Sequence, residues 1–183
     1  MDEASTIGWA RRLRDDAFER LFRDEYPRAV AIARRVLGAT GEAEDAALDA
    51  FTAFHRRYEA TVPFARAWLR AAAANGALNR LRSQRRRLER EAAQARSADA
   101  GSRESEREAD PQRLLERAES VRYVRLALAA LAPRDAAALT LRASGLRYRE
   151  LAGALGVDPR HVGTILARAA RSFQREIISH ASR

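Results

Sequence analysis

The chain of 183 residues reads as all-α, in two helical modules joined by a flexible linker. Three observations predict this. Apolar residues are plentiful, but Ala supplies many of them and aromatics only 7%, which favours packed helices over sheet. Apolar positions recur at three- and four-residue spacing through residues 16–91 and again through residues 112–178. Between them, residues 92–111 (AAQARSADAGSRESEREADP) hold almost no large apolar side chain and cannot bury enough surface to offset the entropy of ordering.

Residues 1–15 read as a loose or partly helical lead-in, with Trp9 and Leu13 available to pack on the first module. From Asp16 a helical pattern runs through Phe18, Leu21, Phe22 and Tyr26. Pro27 lacks the N–H of a helix interior, so it is expected to open a new helix or bend this one. Ala29, Ala33, Val36 and Leu37 continue the apolar face until Gly38 and Gly41 punctuate it. The next helix, residues 42–58, has acids in its first turn, where the dipole favours them. Its buried stripe is Ala47, Phe51, Phe54 and Tyr58, which leaves Glu44, Asp45 and Asp49 outward as an acidic patch. Two origins of that patch remain open: a protein-binding surface, or a capped and solvated helix start.

After a short loop, residues 64–90 form a helix packed through Phe64, Trp68, Ala71, Ala72, Leu78 and Leu81. Asn75 and Asn79 interrupt that face, where an unpaired amide costs stability. Arg80, Arg82, Arg85, Arg86, Arg87 and Arg90 crowd its C-terminal end, a density suited to phosphates. Tyr58, Phe64 and Trp68 lie beside it and have two readings, core packing or stacking on an unpaired base.

The second module opens near Gln112 with Leu114, Leu115, Ala118, Val121, Val124, Leu128 and Leu131 on one helical stripe. Pro133 starts another helix that stops near Gly145. Residues 148–167, YRELAGALGVDPRHVGTILA, then read as two short helices around a tight turn. Leu151, Ala152 and Leu155 share a face, Gly156 ends the first helix, and Asp158 caps the second with Pro159 at its first position. Val162, Ile165, Leu166, Ala169 and Phe173 make the second helix's apolar stripe, while Arg160, Thr164, Arg168 and Arg171 line another side. A small residue at 152, glycine at 156 and valine at 162 is the spacing of a DNA-binding helix-turn-helix, whose second helix presents its polar side to a major groove. Residues 179–183 are a polar tail.

Charge points the same way. All 34 basic residues are Arg, and the net charge of +9 suits a polyanionic partner, most simply nucleic acid. With no Cys there is no disulfide and no thiolate metal site. His55, His161 and His180 are scattered outside metal-ligand spacing, Asp15, Asp16, Glu42, Glu44 and Asp45 are better explained as helix-start acids than as a catalytic cluster, and no glycine-rich phosphate loop occurs. No metal, cofactor, small-molecule substrate or enzymatic activity is therefore expected. No apolar run reaches membrane-spanning length and no signal-peptide core opens the chain, so no membrane association and a cytoplasmic location are expected.

Together these segments resemble the extracytoplasmic-function (ECF) sigma factors of the sigma-70 family. The resemblance rests on FERLFRDEYPRAVAIARRVLG, the AED at 43–45 with Asp49 and Phe51, FARAWLRAAAAN ending at Asn75 and the following Arg run. In the second half it rests on VRYVRLALAALAPRDAAALTLRASGLRYRELAGALGV and VGTILARA. It implies that residues 16–91 are sigma domain 2, a helical bundle, and residues 112–178 sigma domain 4, with its helix-turn-helix. Glu44, Asp45, Asp49 and Phe51 would meet the largest-subunit coiled coil of core RNA polymerase. Tyr58, Phe64, Trp68, Asn75, Asn79, Arg80, Arg82, Arg85 and Arg86 would engage the −10 element and its melted strand. Arg147, Arg160, His161, Thr164, Arg168 and Arg171 would contact the −35 element of promoter DNA, with the polymerase flap and an anti-sigma factor as further expected partners. The sequence departs from the family pattern at Leu48, where Gln is usual, and in the plain Ala run before Asn75. The other reading of the same residues is a stand-alone helix-turn-helix regulator that binds operator DNA without polymerase.

Overall fold

The computed structural model describes residues 3–95 and 111–181, with side-chain placement for 15–91, 93 and 119–179. Seven helices and no strand occur among the described residues: α1 (Glu3–Leu37), α2 (Thr40–His55), α3 (Ala65–Ala95), α4 (Pro111–Ala130), α5 (Pro133–Ala143), α6 (Tyr148–Leu155) and α7 (Pro159–Ala181). The all-α class is as the composition and spacing require. The expected linker's central residues 96–110 lie outside the described residues, as do the side chains of Trp9, Leu13, Leu114, Leu115 and Ala118.

The first bundle packs α1, α2 and α3 pairwise. Its aromatic end buries Phe51, Phe54, Leu21 and Leu69, with Phe18, Phe22, Tyr26 and Trp68 against them. Phe22 stacks on Tyr26 at 4.7 Å, and Phe51 meets Phe18, Phe22 and Tyr26 edge-on. Ala29 and Ala73 at that end, and Ala33, Ala43, Ala46 and Ala77 beyond it, line the crossings, and small side chains let the helix axes approach closely.

Three expectations change on contact with the structure. Of the two outcomes expected for Pro27, the start of a new helix is excluded, since α1 runs through it. On either side of it Tyr26 and Ala29 pack into the aromatic cluster. Asn75 and Asn79 do not interrupt a packing face; both are exposed. The packed arc of α3 is carried by Leu69, Ala73, Ala74, Ala77, Leu78 and Leu81; Leu78 and Leu81 lie on it as expected, while Leu69 and the three alanines are not among the residues expected there. Tyr58 lies beyond the end of α2 and is exposed, so it is not part of that helix's buried stripe.

Helices α4, α5 and α6 each pack on α7. The two helix groups are not separate. Ala33, Val36, Leu37, Ala77, Leu78 and Leu81 share a buried cluster with Leu128, Leu131, Ala136 and Ala137. Ile32 and Ala74 share another with Leu141, Leu146, Leu151, Ala152 and Val162. Helix α5 touches α1, α3, α6 and α7, and Ala136, Ala137, Ala138, Thr140 and Leu141 are all buried, so it is covered nearly all round.

Candidate nucleic-acid interface

The helix-turn-helix is built as its spacing requires. Gly156 takes φ +62°, the left-handed conformation that ends α6. The Gly156 N–H then donates to the Gly153 carbonyl and the Val157 N–H to the Ala152 carbonyl, closing the helix C-terminus. Asp158 accepts from the Arg160 backbone N–H at 2.9 Å and so caps α7. The Arg160 guanidinium also holds the Asp158 carboxylate, and that bond, followed by the backbone one, keeps its pKa below the ordinary value.

On α7, Val162, Ile165 and Ala169 are buried. Arg160, His161, Thr164, Arg168 and Arg171 are exposed, and at 100° per residue they fall within an arc of about 100° on the opposite side. Arg168 is not free within that arc. Its guanidinium donates from Nε and Nη2 to the two carboxylate oxygens of Asp135, a nearly buried residue in the first turn of α5. Sequence reasoning does not single out Asp135, which looks there like any first-turn acid. Arg147 sits at the start of α6, exposed, with its N–H donating to Glu150 at 2.8 Å.

A second surface forms around the loop between α2 and α3. Phe54 is the buried floor, Trp68 is half-buried on it at 5.5 Å, and Tyr58 and Phe64 are exposed above, 5.1 Å apart and edge-on. Trp68 packs, while Tyr58 and Phe64 are exposed; Phe64, expected on the packing face of α3, precedes that helix and is not part of the face. Trp68, Asn75, Asn79, Arg82 and Arg86 then follow one another along the open arc of α3, within about 60° of helix circumference. Arg80 and Arg85 point elsewhere. Arg80 donates to Asp49 on α2 at 2.6 Å, and Arg85 pairs with Glu89. Arg82 donates to the Leu131 carbonyl, and burial together with Arg86 nearby lowers its pKa.

The third surface is the outer face of α2. Glu44, Asp45 and Asp49 are exposed, and Leu48 among them is 45% exposed. Burial and the charges of Glu44 and Asp45 raise the pKa of the Tyr26 hydroxyl, which sets it beside this patch. Phe51 does not belong to the surface. At 2% exposure, inside the aromatic cluster, it cannot touch a partner and supports α2 from within. Leu48 is the apolar group actually offered there, and its departure from the family pattern is the sequence signal that points to it.

Beneath these surfaces lies Glu25, fully buried and missed by sequence reasoning. Arg28 Nη1 and Arg70 Nε and Nη2 donate to its carboxylate. A buried charge is tolerated only with such partners. Its position one turn from Leu21 and from Ala29, on the packed side of α1, is a legible sign of an acid in a core stripe.

Against known families, residues 21–87 match the model of sigma-70 region 2. Residues 122–172 match the model of sigma-70, region 4. The chain belongs to the sigma-70 family. The two matches together cover more than half of it, and region 2 followed by region 4 is the domain pair of the ECF sigma factors. As a sigma factor it binds core RNA polymerase and promoter DNA and directs transcription initiation. No curated protein matches the chain. Among the described residues, no helix of this sigma factor is long and apolar enough to cross a membrane.

Proposed function

We propose a division of labour among the three surfaces of this sigma factor. The outer face of α2, with Leu48 ringed by Glu44, Asp45 and Asp49, docks on the coiled coil of the polymerase largest subunit. Like-sign crowding of carboxylates around one exposed apolar side chain suits a basic partner surface with an apolar contact at its centre. Tyr58 and Phe64, backed by Trp68, take an unpaired −10 base by stacking. Asn75, Asn79, Arg82 and Arg86 continue from Trp68 along α3 as a track for the strand backbone, with Arg80 and Arg85 beside it. The observation that carries this reading is that single stripe of an aromatic, two amides and two arginines on the open arc of α3.

Helix α7 enters the −35 major groove with Arg160, His161, Thr164 and Arg171, while Arg147 at the start of α6 reaches a phosphate. Arg168 works from its Asp135 anchor at the edge of that face. The second helix group also meets the polymerase flap, and an anti-sigma factor in the cytoplasm restrains the protein until it is needed. All of this is binding; no turnover belongs to the chain itself.

Run-off transcription with core polymerase on a promoter library tests the reading. Transcripts appear only with both proteins present, from promoters sharing two spaced motifs. Asp45→Arg lowers core binding at least severalfold by reversing a charge at the interface. Undiminished co-purification of that variant with core would remove α2 from the interface, and tight operator binding without polymerase would favour the stand-alone regulator instead.

A further inference from the structure

A cavity of about 210 Å³ opens beside α1, walled by Arg28, Ala31 and Arg35 of that helix, Arg70 of α3, Gly145 in the α5–α6 turn and Glu150 of α6. We propose that it is a binding site for a small phosphate-bearing anion, held by the guanidinium groups of Arg28, Arg35 and Arg70. Spacing on α1 creates the opening. Residues 28, 31 and 35 stand three and four positions apart and so share one face of the helix. Arg28 and Arg35 are two turns apart, and Ala31 between them carries only a methyl group. Two long cationic side chains therefore flank a gap. Arg70, with its side chain 14% exposed, stands at the back. A Cβ on Gly145 would meet nothing within 4 Å, so the opposite wall stands clear.

The protein does not balance the charge around this cavity. Glu25, buried behind it, accepts from Arg28 Nη1 and from Arg70 Nε and Nη2. Glu150 at the rim accepts from Arg70 Nη1 at 3.0 Å. Neither carboxylate reaches Arg35, which has no hydrogen-bond or ion-pair partner among the described residues. Arg28 engages the protein through Nη1 alone, which leaves its Nε and Nη2 open. Three cations against two carboxylates leave one positive charge over, and the open N–H groups lie on both sides of the gap. Paired guanidinium N–H groups match the oxygens of a phosphate and bind it through charge-assisted hydrogen bonds. The cavity is smaller than the roughly 300–1,000 Å³ of an ordinary ligand pocket, which suits an ion or the phosphate end of a small metabolite and excludes a duplex. Arg28, Arg35 and Arg70 belong to neither promoter-facing surface, so the site stands independently of the promoter-binding role above.

Calorimetric titration of the full chain at neutral pH and fixed ionic strength tests the site with two probes, inorganic phosphate and adenosine monophosphate. Saturable one-site binding is expected. Tighter binding of inorganic phosphate assigns the free ion, tighter binding of the nucleotide assigns the phosphate end of a metabolite, and equal affinities show that the phosphate group alone is read. Arg35→Gln keeps a good helix former but removes the unpaired cation, and is expected to weaken binding about tenfold, as the loss of one charge-assisted hydrogen bond would give. Ala31→Glu sets a carboxylate between Arg28 and Arg35 at an exposed helical position, and is expected to abolish binding. Thr52→Glu makes the same change of net charge on α2, which gives no residue to the cavity wall, and is expected to bind as the wild type does. Absence of saturable binding to the wild type overturns the site. So does binding that survives Ala31→Glu or is unchanged by Arg35→Gln. An equal loss in Thr52→Glu and Ala31→Glu also overturns it, since the overall charge of +9 would then be what attracts the anion.

Discussion

Arg168 shows how one residue can answer to two demands. As a free arginine on a reading helix it would specify a base; paired with Asp135 it also ties α7 to α5. Arg168→Ala is therefore expected to lower the thermal midpoint by a few degrees, because Asp135 is left buried without its partner, as well as to relax −35 preference. Unchanged melting with altered preference would return Arg168 to a pure reading role. The aromatics divide in the opposite sense. Phe54 is fully buried, so Phe54→Ala should cost about 3–5 kcal/mol of stability. Phe64, 45% exposed, should leave stability nearly untouched when changed to Ala but weaken binding of a single-stranded −10 oligonucleotide by about 1–3 kcal/mol. Denaturant titration and fluorescence anisotropy separate the two. In the sequence, Phe51 and Phe54 fall on a buried stripe, but Phe64 and Trp68 carry two readings; the fold separates that pair, because aromatic spacing alone does not say which side of a helix is covered.

At the scale of elements, the strongest local signals are those with a backbone mechanism. Gly156, Asp158 and Pro159 set the helix-turn-helix, and α6 and α7 meet there as expected. Gly156→Ala forces a β-carbon into left-handed φ and should cost about 1–2 kcal/mol, with loss of −35 binding in proportion. Gly41→Ala is its counterpart: inside α2 at ordinary φ with open space around it, it should stabilise by about 0.5 kcal/mol. Equal melting of both variants would show that the turn tolerates strain. Legibility fails where alanine carries the packing. Ala33, Ala74, Ala77, Ala136 and Ala137 bury completely or nearly so, yet each gives too weak a pattern to orient α3 or to reveal that α5 is enclosed. The available clue is the run of four consecutive apolar residues 136–139 in α5, which leaves no side of that turn polar.

For the whole molecule, charge and shape act together. With a net charge of +9 carried wholly by arginines, promoter binding by the holoenzyme should weaken steeply as salt rises, and Arg86→Ala should reduce the slope of log affinity against log salt by about one phosphate contact. An unchanged slope would take Arg86 off the strand track. Acid acts on the join between the helix groups. The Arg147 backbone N–H and the Arg70 side chain hold the Glu150 carboxyl below its ordinary value of 4.5. A lowered folded-state pKa contributes stability that is present above 4.5 and lost as pH falls through the folded value, so titrating the full chain from pH 7 downward should loosen the join only on the acid side. At neutral pH Glu150 stays charged, so the Arg70–Glu150 pair across the join is lost only on the acid side. That two helix groups share cores is not readable from a chain whose halves are separated by about twenty polar residues, because such a stretch fixes no geometry between its ends.

The shared cores also impose an order in time. The first bundle leaves the ribosome with Ile32, Val36, Ala74 and Leu78 still uncovered, and their covering residues, Leu128 through Val162, are translated later. Synthesis of the roughly 67 residues between Ala95 and Val162 takes roughly 3–13 s at about 5–20 residues per second. For that interval the nascent protein displays an apolar face, and Arg70 is still without Glu150. A polymerase meeting it then encounters the first bundle before the second helix group has covered it.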